Sequence, residues 1–265
     1  MQKFSVTCFG TGDGSPCPDR NHAAFLYRFG GSSILLDCGE PIDRYYKASG
    51  LSYNAIDGIF ISHLHSDHVG GFFMLMQGFW LEKRKRNLPV YLPEYALKPI
   101  GEMLKAVLLY PELLRFRLRL LPLREKKSIS IGGVRVTPFQ TSHLDRLRAQ
   151  FSQRQRPPIA AYCFLLEAGG RRVAHSSDLG KPEDLEPLLA KPLDLLVCEL
   201  SHFLPEQLFR YLKGRAIKQI AFVHLLRPLR ENLSQTRRLA AKMLPGIPHS
   251  FPNDLEEICF SPAAE

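Results

Sequence analysis

The densest group of chemically active side chains is an H-x-H-x-D-H run formed by His63, His65, Asp67 and His68. Given the chain's composition, such a run arises by chance in about 4 of 10,000 sequences. It follows the apolar segment 58–61. In an extended chain the first three side chains point to one side, and a turn into a helix brings the last imidazole round to them. Imidazole and carboxylate ligands together suit zinc better than calcium or magnesium, so the run predicts a zinc site.

Four ligands on one short loop cannot all reach a single tetrahedral ion, so we expect later residues to complete two sites. Three candidates each stand at the C-terminal end of an apolar strand-like segment: His143, Asp178 and His224. Ligands collect at such strand ends in α/β proteins. A single histidine in this position is more often structural, but the shared placement of all three favours a ligand role.

The segments that must position these residues alternate between strand-like and helix-like patterns along the whole chain. Strands are predicted over Phe4–Gly10, Ala24–Phe29, Ser33–Cys38, Ile56–Ser62, Val134–Gln140, Ala160–Glu167, Arg171–Ser176, Leu193–Glu199 and Gln219–His224. Helices are predicted over Ile42–Ser49, Gly70–Lys83, Tyr95–Leu108, Glu183–Leu189, Glu206–Leu212 and Ser234–Met243. Hairpin-like pairs in the first half and strand–helix alternation in the second indicate an α/β protein with two sheets. Neither repeats nor linkers interrupt the pattern, which predicts a single domain over residues 1–265.

Composition narrows the class of protein. The 265 residues are 45% hydrophobic and 23% charged, as in globular proteins, and no apolar run is long enough to span a membrane. The N-terminus has no secretion signal, so we expect a cytoplasmic protein without a membrane partner. Six cysteines without C-x-x-C spacing are expected to be reduced thiols. A net charge of +9 favours anionic partners such as nucleic acids or phosphate esters.

The ligand pattern resembles the metallo-β-lactamase superfamily over nearly the whole length of the chain. The resemblance implies an α/β fold, specifically a four-layer αββα sandwich. It also implies two Zn²⁺ ions per chain, with manganese or iron as alternatives. One ion would be bound by His63, His65 and His143 and the other by Asp67, His68 and His224. Asp178 would bridge the two ions.

Three further motifs are most similar to those of the ribonuclease Z branch and its phosphodiesterase relatives. They are residues 9–16, 35–40 and 59–63, with sequences FGTGDGSP, LLDCGE and IFISH. This resemblance implies hydrolysis of phosphodiester bonds in RNA or small nucleotides by a metal-bridging hydroxide, and a homodimer as one oligomeric state. Hydrolysis of lactones, β-lactams or thioesters is the alternative, because enzymes of those branches share the ligand loop.

Two groups could transfer protons during such a reaction. Asp67 either orients the attacking hydroxide and accepts its proton or acts only as a ligand. The segment ending a later strand differs from ribonuclease Z, which carries His-Glu-Ala-Thr there with its histidine as proposed proton donor. Here Cys198 takes the histidine's place, Glu199 is retained and His202 follows. Either His202, oriented by Glu199, protonates the leaving group, or protonation occurs in another way.

Ribonuclease Z relatives carry a protruding arm that grips transfer RNA between the third histidine and the bridging aspartate. Only 34 residues separate His143 from Asp178 here, and the predicted strands leave residues 144–159. This segment is too short for a globular arm, but its four arginines, Arg146, Arg148, Arg154 and Arg156, could form a phosphate-binding loop. A second basic cluster at residues 83–86 is either a phosphate contact or a solvated surface.

Overall fold

The computed structural model describes residues 4–155 and 157–260. Contacts within the chain group these residues into two compact units. Unit 1 comprises residues up to 124, residues 130–134 and residues from 253 onward; unit 2 comprises residues 125–129 and 135–252. The single domain predicted over residues 1–265 stays a prediction, and each unit is described by itself.

Unit 1 is built on a seven-stranded sheet with the strand order β14-β1-β2-β3-β4-β5-β6. Its strands are β1 (Phe4–Gly10), β2 (Ala24–Phe29), β3 (Ser32–Leu36), β4 (Gly58–Phe60), β5 (Leu88–Pro93), β6 (Leu118–Leu123) and β14 (Glu257–Cys259). Its helices are α1 (Ile42–Ala48), α2 (Ser66–Val69), α3 (Phe72–Leu81) and α4 (Leu97–Ala106). Strands β3 to β6 are parallel, so β3 and β4 end at the same edge of the sheet. The residues that follow these two strands are thereby brought together.

A second seven-stranded sheet, most of which belongs to unit 2, has the order β13-β12-β11-β10-β9-β8-β7. Its strands are β7 (Ile129–Ile131), β8 (Val134–Thr141), β9 (Ala161–Ala168), β10 (Arg171–His175), β11 (Leu195–Leu200), β12 (Ile220–Leu225) and β13 (His249–Ser250). Its helices are α5 (Asp145–Arg148), α6 (Pro205–Leu212), α7 (Arg227–Glu231) and α8 (Leu233–Met243). Strands β10 to β13 are parallel, and β8 runs in the same direction because β9 is antiparallel to both β8 and β10. The C-terminal ends of β8, β10, β11 and β12 therefore share one edge.

Several predicted elements differ from the observed ones. The predicted helix Glu183–Leu189 is only a 3₁₀ turn over Pro182–Leu185. Strands β5, β6, β7, β13 and β14 were not predicted. Proline interrupts β5 and β6, and proline argues against a strand in sequence-based prediction. The other three have no more than three residues, too few for a period-two pattern.

The basic cluster at residues 83–86 has a structural role at Arg84, which is fully buried. Its guanidinium donates hydrogen bonds to the backbone oxygens of Tyr53 and Ile56, among others, and lies between the rings of Phe79 and Phe116. Burial lowers its pKa to about 10, still far above neutral pH. Arg84 therefore holds backbone segments of unit 1 together through hydrogen bonds and is not a phosphate contact. Among the described residues, no helix has the length and apolar character needed to cross a membrane.

Candidate metal centre

In unit 1 the H-x-H-x-D-H run lies between the end of β4 and the first turn of α2. The ring centroid of His63 is 4.6 Å from that of His65 and 4.2 Å from that of His68. Nε2 of His68 lies 3.3 Å from Oδ2 of Asp67. Helix α2 begins at Ser66, directly after His65, so the predicted turn brings His68 back to the preceding histidines.

A buried carboxylate, Asp37, supports this cluster from the end of β3. Its two oxygens accept hydrogen bonds from the backbone N–H and the hydroxyl of Ser62, at 2.7 and 2.8 Å. Asp37 Oδ2 also lies 2.8 Å from Nδ1 of His68, and Nδ1 of His63 lies 3.0 Å from Ser62 Oγ. A histidine held at Nδ1 binds a metal through Nε2, so these contacts present both rings in a ligand orientation.

The chain must approach α2 very closely just after β3. A Cβ at Gly39 would lie 2.3 Å from the backbone oxygen of Asp67, so only glycine fits there. The neighbouring Cys38 donates a backbone hydrogen bond to the oxygen of His68 at 2.7 Å. This contact fixes the helix that carries two of the predicted ligands.

In unit 2 the carboxylate of Asp178 faces three imidazoles. Its Oδ2 lies 3.5 Å from Nε2 of His143 and 3.8 Å from Nε2 of His202, while its Oδ1 lies 3.6 Å from Nε2 of His224. Each carboxylate oxygen thus faces a different one of the two predicted histidine ligands. The arrangement is compatible with the predicted bridging role of Asp178, which stays a prediction.

Local structure fixes the two loops that carry His143 and Asp178. Asp184 accepts hydrogen bonds from the backbone and hydroxyl of Ser142 and from the N–H of Gly180. The hydroxyl of Thr141 donates to the backbone oxygen of Asp178 at 2.9 Å. The adjoining loops are therefore tied to each other within unit 2.

Two residues at the Asp178 cluster of unit 2 have left-handed backbone conformations. Ser177, directly before Asp178, has φ of 45°, and His224 has φ of 50°. Such conformations are unfavourable for residues other than glycine and concentrate at functional sites. Here the strain accompanies the placement of Asp178 and His224.

Glu199 and His202 form a pair at the end of β11. Oε1 of Glu199 lies 2.8 Å from Nδ1 of His202 and accepts the N–H of Leu179 at 2.8 Å. Oε2 accepts the backbone N–H groups of Ser201 and His202. The glutamate is 1% exposed and the histidine is accessible. Glu199 therefore holds the ring of His202 with Nε2 toward Asp178.

Cys198 stands where ribonuclease Z has a histidine, but its side chain points into the apolar core and not toward His202. It belongs to the apolar core of unit 2, and burial raises the pKa of its thiol well above the usual value. A thiol this reluctant to ionise does not exchange protons near neutral pH. Of Cys198 and His202, only His202 has its side chain near Asp178.

The donor atoms suit zinc by both chemistry and spacing. Two ligands of one tetrahedral zinc ion lie about 3.3–3.6 Å apart, given metal–ligand bonds of roughly 2.0–2.2 Å. The Asp67–His68, Asp178–His143 and Asp178–His224 separations of 3.3, 3.5 and 3.6 Å match this spacing. All seven predicted ligands are among the described residues whose donors could hold a metal ion. Their binding of two ions stays a prediction.

Sequence reasoning missed Asp37 and Ser62 as supports of the ligands, although LLDCGE had been recognised as a motif. The available signal was an aspartate at the end of an apolar strand, the same placement that identified the later ligands. In the predicted arginine loop, the structure has the four-residue helix α5 and a 3₁₀ turn over Gln153–Gln155. Arg156 lies outside the described residues.

Comparison with known proteins identifies relatives of this chain. The family model described as "Anti-Pycsar protein Apyc1" matches residues 4–202. Ribonuclease Z of Archaeoglobus fulgidus is 33% identical over 143 residues, which cover 53% of this chain and 45% of that protein. Ribonuclease Z of Methanocaldococcus jannaschii is 35% identical over 137 residues, which cover 51% of this chain and 42% of that protein. The match therefore spans less than half the length of these relatives.

Solved structures agree on the fold. The metallo-β-lactamase fold protein YhfI from Bacillus subtilis has a TM-score of 0.76 at 18% identity, covering 98% of this chain and 100% of its own. The short form of human tRNase Z has a TM-score of 0.72 at 21% identity, with coverage of 97% and 99%. The predicted metallo-β-lactamase fold and the predicted likeness to the ribonuclease Z branch are both confirmed.

Proposed function

Because the chain belongs to the family of Anti-Pycsar protein Apyc1 and has the metallo-β-lactamase fold, we propose that it is a metal-dependent phosphodiesterase. Its substrates are RNA or small nucleotides. The observation that carries this proposal is the cluster around Asp178, where ligand-type imidazoles lie beside a histidine held by a buried glutamate. Bound metal ions and a proton donor for the leaving oxygen both promote cleavage of an unactivated phosphodiester.

Seven residues would hold two metal ions, zinc in the first instance: His63, His65, Asp67, His68, His143, Asp178 and His224. The ions would supply Lewis-acid polarisation of the phosphodiester and neutralise the charge that develops in the transition state. Asp37 keeps His68 in the ligand orientation through its contact with Nδ1. A mixture of imidazole and carboxylate ligands also accepts manganese or iron.

The chain's own side chains move the protons. His202 is the proposed catalytic acid and donates the proton on Nε2 to the leaving oxygen, while Glu199 is the positioning residue that holds Nδ1. A negatively charged partner at Nδ1 also stabilises the protonated ring before transfer. Asp67 has a carboxylate placed beside His68 that can accept the proton of the attacking water.

The substrate class rests on charge and on relatives. A net charge of +9 favours an anionic substrate, and the proteins named ribonuclease Z that match half of the chain support RNA. A cytoplasmic location and a homodimeric state are part of the same proposal, following the resemblance to these relatives.

Zinc-reconstituted protein tests the reaction class. We expect turnover of bis(p-nitrophenyl) phosphate and none above background with a lactone or a thioester. Asp178→Asn should abolish the turnover, and Asp194→Asn, a change at a salt-bridged aspartate away from the cluster, should leave it near the parent value. Preferential hydrolysis of the lactone or thioester would favour the alternative branches of the superfamily and refute the proposal.

A further inference from the structure

A pocket in unit 2 is lined by His202 and by none of the predicted metal ligands. It has a volume of about 830 Å³ and runs from His202 and Ser201 to α6 and to Lys181 at the start of the 3₁₀ turn. Ligand sites for small organic molecules typically enclose about 300–1,000 Å³, so this pocket has room for a nucleotide.

We propose that this pocket binds the leaving nucleotide of an RNA substrate together with the next phosphate, so that oligoribonucleotides are preferred over substrates with a single phosphodiester. The inference rests on the phosphodiesterase activity proposed above. It adds which side of the scissile bond is recognised and by which residues.

The position of His202 sets the polarity. Its Nε2 points toward Asp178, and the same residue lines the pocket. A general acid must lie within hydrogen-bond reach of the oxygen that it protonates, which is the leaving oxygen. The group attached to that oxygen therefore extends past His202, and the pocket is the space on that side within unit 2.

Charge in the pocket suits a second phosphate. Lys181 and Arg210 both line it, both are exposed, and neither forms an ion pair with a described residue. An arginine and a lysine in the lining of one pocket match a phosphate that follows the leaving nucleoside. Glu183 also lines the pocket, and its negative charge weakens the attraction of Lys181 and Arg210 for a phosphate.

The apolar part of the lining suits a base and a ribose. Leu204 and Leu226 are large apolar side chains that remain 66% and 42% exposed. Tyr211 lines the same pocket and is held in place by its hydroxyl contact to Glu186 and by Arg215 over its ring. A fixed aromatic side chain and exposed leucines give a base a stacking surface without sequence preference.

Two oligonucleotides separate the phosphate contact from the rest of the reaction. Cleavage of the dinucleotide UpU releases a nucleoside without a further phosphate on the leaving side, whereas cleavage of UpUpU can release one that carries it. We expect the parent KM for UpUpU to be about tenfold lower than for UpU. In a Lys181→Ala/Arg210→Ala variant this advantage should fall to about twofold or less, with turnover of bis(p-nitrophenyl) phosphate unchanged. Lys213→Ala, which removes an exposed cation outside the pocket lining, is the matched control.

A change of opposite sign sharpens the test. Glu183→Gln removes the only carboxylate among the pocket's lining residues and should lower the KM for UpUpU about two- to threefold, with no effect on UpU. Arg210→Lys, which keeps the charge, should retain most of the UpUpU advantage.

Binding without turnover gives an independent measurement. Fluorescein-labelled UpUpU is titrated in EDTA-containing buffer, and affinity is followed by anisotropy from 50 to 200 mM salt. Lys181 and Arg210 neutralise the same phosphate, so their loss should reduce the slope of log K against log salt by about 0.7 units, the value for one phosphate of a single strand. An unchanged slope and an unchanged UpUpU advantage in the double variant would overturn the inference about the pocket. If the same variant still hydrolyses bis(p-nitrophenyl) phosphate, the proposed phosphodiesterase function is not affected by that result. Parent protein without any phosphodiester turnover would instead refute the proposed function, and the anisotropy slope would still decide the pocket.

Discussion

Glu199 Oε1 lies 2.8 Å from Nδ1 of His202, three residues further along the chain, and the backbone N–H of His202 also contacts the other glutamate oxygen. One carboxylate therefore fixes both the backbone and the ring of the same residue. The histidine occupies a position shifted from that of the ribonuclease Z proton donor, but its ring reaches the carboxylate of Asp178.

Loss of the His202 imidazole should lower kcat most for substrates whose leaving group needs a proton. His202→Ala should lower kcat for UpU by about 10²–10⁴ and change bis(p-nitrophenyl) phosphate turnover by less than about tenfold, because nitrophenolate leaves without protonation. Steady-state kinetics on both substrates checks this. Equal losses on the two would mean that His202 positions the substrate and does not act as an acid.

Glu199→Gln should reveal the positioning role of the glutamate. Glutamine keeps the size of the side chain, but only its amide oxygen can accept the hydrogen bonds that both glutamate oxygens accept here. It also loses the charge that favours the protonated ring, so kcat should fall and the alkaline limb of the kcat profile should move to lower pH. The pH profile measured on UpU is the readout, and Glu206→Gln on the exposed side of α6 is the control. A uniform loss of activity at all pH values would indicate a purely structural effect.

The ligand assignment predicts the metal content. Reconstituted parent protein should hold two zinc ions per chain by mass spectrometry of metals, and His63→Ala or His224→Ala should reduce this number and abolish turnover. Circular dichroism should be retained in both variants, since these residues follow or end strands whose cores remain intact. His249→Ala, at a histidine outside the cluster that contacts the backbone oxygen of Ile247, should keep both ions. Near-normal activity in either ligand variant would contradict the assignment.

Asp37 should matter for metal affinity although it is not among the predicted ligands. Asp37→Asn removes the charged partner of His68 Nδ1, and loss of such a partner costs about 10- to 100-fold in metal affinity. Competition with a chromophoric zinc chelator measures the change. Zinc affinity equal to that of the parent protein would mean that Asp37 only supports the local backbone.

The arginine loop between His143 and Asp178 predicts the range of RNA substrates. We expect poor processing of full-length precursor transfer RNA compared with short RNA, because α5 and a 3₁₀ turn replace a protruding arm. Replacing Arg146, Arg148, Arg154 and Arg156 should flatten the salt dependence of RNA binding by up to about 3–4 units without changing nitrophenyl phosphodiester turnover. Efficient cleavage of the precursor that is independent of these arginines would refute this interpretation.

The fold and the predicted ligands were accessible from sequence because both depend on local patterns. Apolar strands ending in histidine or aspartate identified the residues around Asp178, and the H-x-H-x-D-H spacing identified those around His63. The supports of the site were less accessible. The contacts of Asp37 to Ser62 and His68 join positions about 25 and 31 residues apart through the pairing of β3 with β4, and no local pattern encodes that register.

The burial of Arg84 is a second feature that the local sequence pattern does not predict. Four consecutive basic residues at 83–86 have the pattern of a solvated or phosphate-binding surface. One of them instead fills a buried position between Phe79 and Phe116, which are distant in sequence. Composition cannot distinguish the buried arginine from its exposed neighbours, because burial depends on the tertiary placement of backbone oxygens around it.

During translation, β1 leaves the ribosome long before its partner β14. The two strands pair at Ser5–Cys259, and Thr11 donates to Asp254 across a separation of 243 positions. At a synthesis rate of about 5–20 residues per second, the interval between completion of β6 and that of β14 is roughly 7–27 s. Throughout this interval the nascent chain exposes one edge of β1, with hydrogen-bonding groups that can pair with strands of other chains. Chaperone binding to newly made protein should therefore concentrate on this N-terminal strand.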